Sequence, residues 1–145
     1  MENKIDYSKL TEITVKTQEE LDLIPLDFKG RIYISGERKI WIVVKNRYNY
    51  SVVLIGDTSA VLRENSSAEL YRNSSAVLYG NSSAVLWENS SAELYGNSSA
   101  ELYGNSSAEL RENSSAVLYG NSSAVLYRNS SAVLRENSSA ELRGN

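Results

Sequence analysis

The chain contains no cysteine and no histidine, and it has one methionine and one proline among 145 residues. Without thiols or imidazoles it has no disulfide framework, no Cys/His metal site and no Ser–His or Cys–His nucleophile pair. Lysine is confined to the start of the chain, where Lys4, Lys9, Lys16, Lys29, Lys39 and Lys45 are all that occur. No apolar run reaches the roughly 18 residues of a membrane span, and the opening MENKIDYSKL lacks the apolar core of a secretory signal. A net charge of −3 argues for neither a nucleic-acid partner nor an acidic tail. These absences predict a cytoplasmic, non-enzymatic protein with no cofactor, no metal, no nucleic acid and no membrane among its partners.

What the chain does have is a repeat. From Asp57 onward it is written in octads: DTSAVLRE, NSSAELYR, NSSAVLYG, NSSAVLWE and seven more, closing with NSSAELRG and Asn145. Residues 1–56 have no such period, so the chain divides into a cap with an irregular first coil, 1–56, and an octad array, 57–145. The fourth and sixth octad positions are constant, as in Ala60 and Leu62 or Ala140 and Leu142, whereas the fifth is Val or Glu and the seventh Tyr, Arg or Trp. That two-residue alternation belongs to a strand with one buried face. It is incompatible with a helix, whose turn of about 3.6 residues would carry an eight-residue apolar pattern around the surface. Short strands with Gly-Asn-Ser corners, repeated at a fixed period, predict an all-β, parallel β-solenoid in which equal positions stack.

The eighth position suggests how many octads make one coil. Its only glutamates, Glu64, Glu88, Glu112 and Glu136, lie 24 residues apart, and the seventh position follows with Arg63, Trp87, Arg111 and Arg135 in the same class. This spacing predicts a triangular prism of three octads, 24 residues per coil, with Leu70, Leu94, Leu118 and Leu142 in one column. Asparagines at the first position then form a ladder of amide hydrogen bonds along the axis. In residues 1–56, Thr17 and Glu20 form a capping box ahead of Pro25, which predicts a short helix at about 17–24 acting as a lid. The pairs Ile32/Ile34, Ile42/Val44 and Val52/Leu54 read as one larger first coil, with Tyr33, Trp41, Tyr48 and Tyr50 filling the transition.

The NSSAVLYG-type octads of residues 57–145 resemble the octapeptide β-solenoid repeats of bacterial and phage proteins and, more distantly, pentapeptide-repeat and ice-nucleation solenoids. The resemblance implies architecture rather than activity. Pentapeptide-repeat relatives include DNA mimics that occupy type II topoisomerases, which implies the alternative of a regulator of a nucleic-acid-binding enzyme; the period of eight and the arginines Arg63, Arg72, Arg111, Arg128, Arg135 and Arg143 depart from that pattern. A flat hydroxyl-bearing face implies ice binding, although Thr58 is the sole threonine of the repeats. The tyrosine columns could hold carbohydrate, or they could serve the sheet as cross-strand aromatic pairs. The Glu64-to-Glu136 series reads as a solvated ion-pair face, and the ten Asn-Ser-Ser triplets and Asn49-Tyr50-Ser51 read as corners rather than glycosylation acceptors.

The main expectation is a structural or protein-interaction solenoid that forms a homodimer. Residues 1–56 close one end, whereas the last octads offer nothing to close the other. Leu126, Leu134 and Leu142 are then expected to face outward along the axis, with Arg135, Glu136, Glu141 and Arg143 on the rim. Such an edge is normally blunted or paired, so the expectation is an isologous contact, C-terminal end against C-terminal end.

Overall fold

The computed structural model describes residues 5–36, 41–44 and 51–144. Tyr48, Tyr50, Asn49 of the Asn49-Tyr50-Ser51 triplet, and Asn145 lie outside the described residues. After a 3₁₀ turn at Tyr7–Lys9 come strand β1 (Glu12–Val15), helix α1 (Gln18–Asp22), and strands β2 (Arg31–Ser35), β3 (Trp41–Val44) and β4 (Val52–Ile55). The octads then supply one strand each: β5 (Ser59–Leu62), β6 (Ser67–Tyr71), β7 (Ser75–Leu78), β8 (Ser83–Leu86), β9 (Ser91–Leu94) and β10 (Ser99–Leu102). They continue as β11 (Ser107–Leu110), β12 (Ser115–Leu118), β13 (Ser123–Tyr127), β14 (Ser131–Leu134) and β15 (Ser139–Arg143). All-β architecture, parallel pairing and a β-solenoid preceded by one short helix are what the sequence predicts.

The coil is smaller than predicted. Successive strands alternate between two sheets, β1-β2-β4-β6-β8-β10-β12-β14 and β15-β13-β11-β9-β7-β5-β3. Leu70 pairs with Leu86, and Leu94 pairs with Leu78 and Leu110. Each coil therefore holds two octads, 16 residues, and the three-octad triangular prism is incorrect. Leu70 and Leu118 belong to the first sheet and Leu94 and Leu142 to the second, so the four leucines expected in one column are split between two. The thin interior suits its contents. Because the chain reverses direction at each corner, the leucine of one strand lies across from the alanine of the opposite sheet, and a large–small pair fills the gap. From Leu62 to Leu118 every octad leucine is fully buried.

The 24-residue chemical period and the 16-residue coil are reconciled by electrostatics. A step of one and a half coils moves each glutamate to the opposite edge, so Glu64 and Glu112 share one edge with Gly80 and Gly96 between them, and Glu88 and Glu136 share the other with Gly104 and Gly120 between them. Like charges on an edge are three coils apart, about 14 Å at a strand spacing of roughly 4.8 Å, which exceeds the screening length of about 8 Å in physiological salt. A three-octad coil would have put them on adjacent strands.

Corners are made by the eighth position, which takes positive φ throughout the octads. Five of these positions are glycine; Glu64, Arg72, Glu88, Glu112, Arg128 and Glu136 hold φ between 56° and 67° despite their side chains. The second position then locks the turn. Ser82, Ser90, Ser98 and Ser106 are fully buried, and each hydroxyl donates to the carbonyl three residues back, at 2.7, 2.7, 2.6 and 2.7 Å. The expected asparagine ladder is present on one edge, where Asn81 donates to Asn65 at 3.2 Å and Asn97 to Asn81 at 3.4 Å.

Residues before the array obey the same two-sheet rule instead of forming one larger coil. Ile32 and Ile34 stack on Val52 and Leu54, which stack on Ala68 and Leu70; Ile42 and Val44 stack on Ala60 and Leu62. The capping box holds: Thr17 Oγ1 accepts from Glu20 N at 3.2 Å, while the Glu20 carboxylate accepts from the Lys16 N–H at 2.6 Å. The helix occupies the slot that an earlier strand of the second sheet would take, with Leu21 buried beneath it. Gln18 completes the substitution. Its Oε1 accepts from Val43 N at 2.7 Å and its Nε2 donates to Val43 O at 3.3 Å, so a side-chain amide stands in for the missing strand along β3.

Two substitutions test this architecture by urea unfolding. Leu94→Ala should cost about 2–5 kcal/mol through the cavity it leaves between two stacked leucines. Gln18→Ala should cost about 1–3 kcal/mol by leaving both backbone groups of Val43 without a protein partner.

Candidate functional site: the terminal coil and the axial ladders

The residues expected to form an interface lie on β13, β14 and β15 and in the corner between the last two. The structure places Leu134 and Leu142 on the last two strands, 47% and 81% exposed, beside Val133 at 52%. Leu126 is different: β15 pairs with β13 and places Leu142 directly on it, so Leu126 is 7% exposed and belongs to the core. Among the described residues, strands β14 and β15 each pair on one side only, with β12 and β13.

The rim charges are engaged within the chain. Arg143 makes a forked contact with Glu141, Nε to Oε1 at 2.8 Å and Nη2 to Oε2 at 3.2 Å. That hydrogen bond holds the Glu141 carboxyl below its ordinary value and raises Arg143. Glu136 reaches back one coil to accept from Gly120 N at 2.7 Å, and Glu112 does the same to Gly96 N at 2.7 Å. The Arg135 guanidinium lies 5.6 Å from the centroid of Tyr119.

That last contact ends a longer feature. Along one edge the seventh positions form a continuous column of rings: Tyr71 on Trp87 at 6.3 Å, Trp87 on Tyr103 at 4.3 Å and Tyr103 on Tyr119 at 4.7 Å, with interplanar angles of 7°, 12° and 3°. The opposite edge mixes rings with guanidinium groups. Arg63 lies 5.7 Å from Tyr79, Tyr79 and Tyr95 stack at 5.0 Å, and Arg111 sits 5.8 Å from Tyr95 and 4.6 Å from Tyr127. Stacking in register brings planar groups to about the strand spacing, the distance at which offset rings and cation–π pairs attract. Ring faces within these columns are occupied by their neighbours, so the columns present ring edges outward, whereas flat sugars and bases stack on open faces.

A second regularity went unread in the sequence. Every glutamate at a fifth position of the octads precedes Tyr or Arg at the seventh, and the two meet on the outer face of their own strand. Tyr71 donates to Glu69 at 2.9 Å, Tyr95 to Glu93 at 2.9 Å, Tyr103 to Glu101 at 2.8 Å, and Arg111 to Glu109 at 2.8 Å. The motif Ala-Glu-Leu-Tyr/Arg carried the signal, because strand residues two apart share a face. These carboxylates therefore serve local pairs and not one acidic stripe. The third-position serines line a shallow axial trough on each sheet, and Ser59 and Ser75 hydroxyls lie 2.8 Å apart.

Among the described residues, no helix is long and apolar enough to cross a membrane. No protein-family model, curated protein or solved structure matches the chain.

The Tyr–Glu pairs give a pH-dependent readout. Donation to Glu101 pushes the Tyr103 phenol up from 10.0 to about 12, because ionising the ring removes that hydrogen bond beside a carboxylate. A raised folded-state value means that the contribution to stability is complete below pH 10, the unfolded value, and is lost as pH climbs through about 12. Spectrophotometric titration of a Glu101→Gln variant should show one phenol returning toward its ordinary value.

Proposed function

We propose that the protein is a non-enzymatic structural or protein-interaction solenoid that associates with a second copy of itself through β14 and β15. The observation that carries this reading is the exposure of Leu134 and Leu142 beside two strands paired on one side only. Such an edge combines apolar side chains with unpaired N–H and C=O groups, which makes it a template for another strand. At the other end, α1 and Gln18 occupy the first edge of the second sheet, so a head-to-tail continuation would meet a helix where it needs a strand.

Symmetry favours a particular closed arrangement. The chain climbs half a coil between β14 and β15. Under a two-fold axis lying along the strand direction, β14 of each copy faces β15 of the other at equal height, and the paired strands run antiparallel. An axis perpendicular to the sheets would bring β15 against β15 while leaving β14 one strand short of contact. With Glu141, Arg143 and Glu136 already paired inside each copy, affinity would come from the leucines and the strand edges, and rim charges would add little.

Light scattering at micromolar concentration tests the reading. The intact chain should have the mass of a dimer, and Leu142→Glu should yield a monomer whose earlier coils keep their β-sheet circular dichroism. A monomeric intact chain would refute the proposal.

A further inference from the structure

The ring column on the first edge contains the one tryptophan of the octads, and the tyrosine on either side of it is hydrogen-bonded to a carboxylate. Trp87 lies in contact with Tyr103 at 4.3 Å and faces Tyr71 at 6.3 Å on its other side. These are the two tyrosines of that column with a glutamate two residues earlier, and each donates its phenolic hydrogen to it, Tyr103 to Glu101 at 2.8 Å and Tyr71 to Glu69 at 2.9 Å. Position 85, two residues before Trp87, and position 117, two before Tyr119, are valine. The indole is half-buried, so a small solute can reach its edge.

We infer that this column carries oxidising equivalents from Trp87 to Tyr103, with Glu101 as the proton acceptor. The oxidant is a small inorganic one-electron radical. It takes one electron from the indole, becoming its anion and leaving the Trp87 radical cation. An electron then passes from Tyr103 to Trp87 across the ring contact while the phenolic proton moves along its existing hydrogen bond to the Glu101 carboxylate. The products are neutral Trp87, a neutral Tyr103 phenoxyl radical and the Glu101 carboxylic acid, so electrons, protons and charge balance. A tryptophan radical cation is the stronger oxidant of the two, and a tyrosine cannot be oxidised readily unless its proton has somewhere to go. The column supplies both conditions: electronic contact through parallel rings and a carboxylate already accepting the proton that must leave. Tyr71 with Glu69 offers the same exit at a longer distance. Tyr119 adjoins Tyr103 but has no carboxylate at the equivalent place.

Pulse radiolysis with azidyl radical tests the inference, in a Trp41→Phe background where Trp87 is the only tryptophan. The tryptophan-radical absorption should decay as the tyrosyl absorption grows, with one first-order rate that does not change on dilution of the protein. Tyr103→Phe, which keeps the ring stack, should slow that transfer, and Tyr71→Phe combined with Tyr103→Phe should remove most of the tyrosyl signal that grows from Trp87. Glu101→Gln should slow the transfer and diminish its solvent deuterium isotope effect while leaving the β-sheet spectrum intact. A rate proportional to protein concentration, or a transfer unaffected by the double Tyr→Phe variant, would overturn the inference.

Discussion

In-register pairing of each strand with the strand one coil below is the constraint from which the rest of this protein follows. It sets like residue on like residue at about the strand spacing, so every choice at one octad position is judged by its neighbour in the stack. Leucine and alanine columns pass that test by excluding water. The buried serine at the second position passes because its hydroxyl has a carbonyl three residues back, and asparagine passes by bonding to asparagine. Glutamates of the eighth position never stand next to each other in their stack, and where two of the fifth position do, Glu93 beside Glu109, each is paired along its own strand with Tyr95 or Arg111.

The same constraint accounts for the unequal ends. At the start, a sheet edge is met by a helix whose Gln18 amide copies the two hydrogen-bonding functions of a peptide group. The capping interactions of Thr17 and Glu20 and the burial of Leu21 fix the helix so that the amide faces Val43. Gly30 belongs to this region for a steric reason: a Cβ there would fall 2.4 Å from the Thr11 carbonyl oxygen and 2.3 Å from the Phe28 ring. Among the described residues, the leucines of β14 and β15 continue the columns with no further strand stacked on them, and exposure rises from Leu126 to Leu134 to Leu142.

Much of this was legible in the octads. Alternation of Ala-x-Leu with variable residues identified the strand, its buried face and the parallel stacking, and Thr17 with Glu20 located the helix. The number of octads per coil was not legible, because the repeating chemistry and the repeating backbone have different periods. Glutamates 24 residues apart were read as neighbours in a stack, when a step of one and a half coils places them on opposite edges. Strand β1 was missed because Glu12–Val15 is only four residues with no repeat to mark it. The Tyr–Glu pairs were missed because each octad position was followed down its own column, while the pairing runs along the strand.

The unequal periods also govern how such an array can change length. A single octad inserted or lost would send every later side chain to the opposite edge, interrupting the column of rings at Trp87 or Tyr103 with the arginines of the other side. Two octads gained or lost together leave all later residues on their original edge and preserve both columns beyond the junction. The unit of viable growth is thus the pair, although the unit visible in the sequence is the single octad. Parity, more than copy number, would decide which length variants keep their surface.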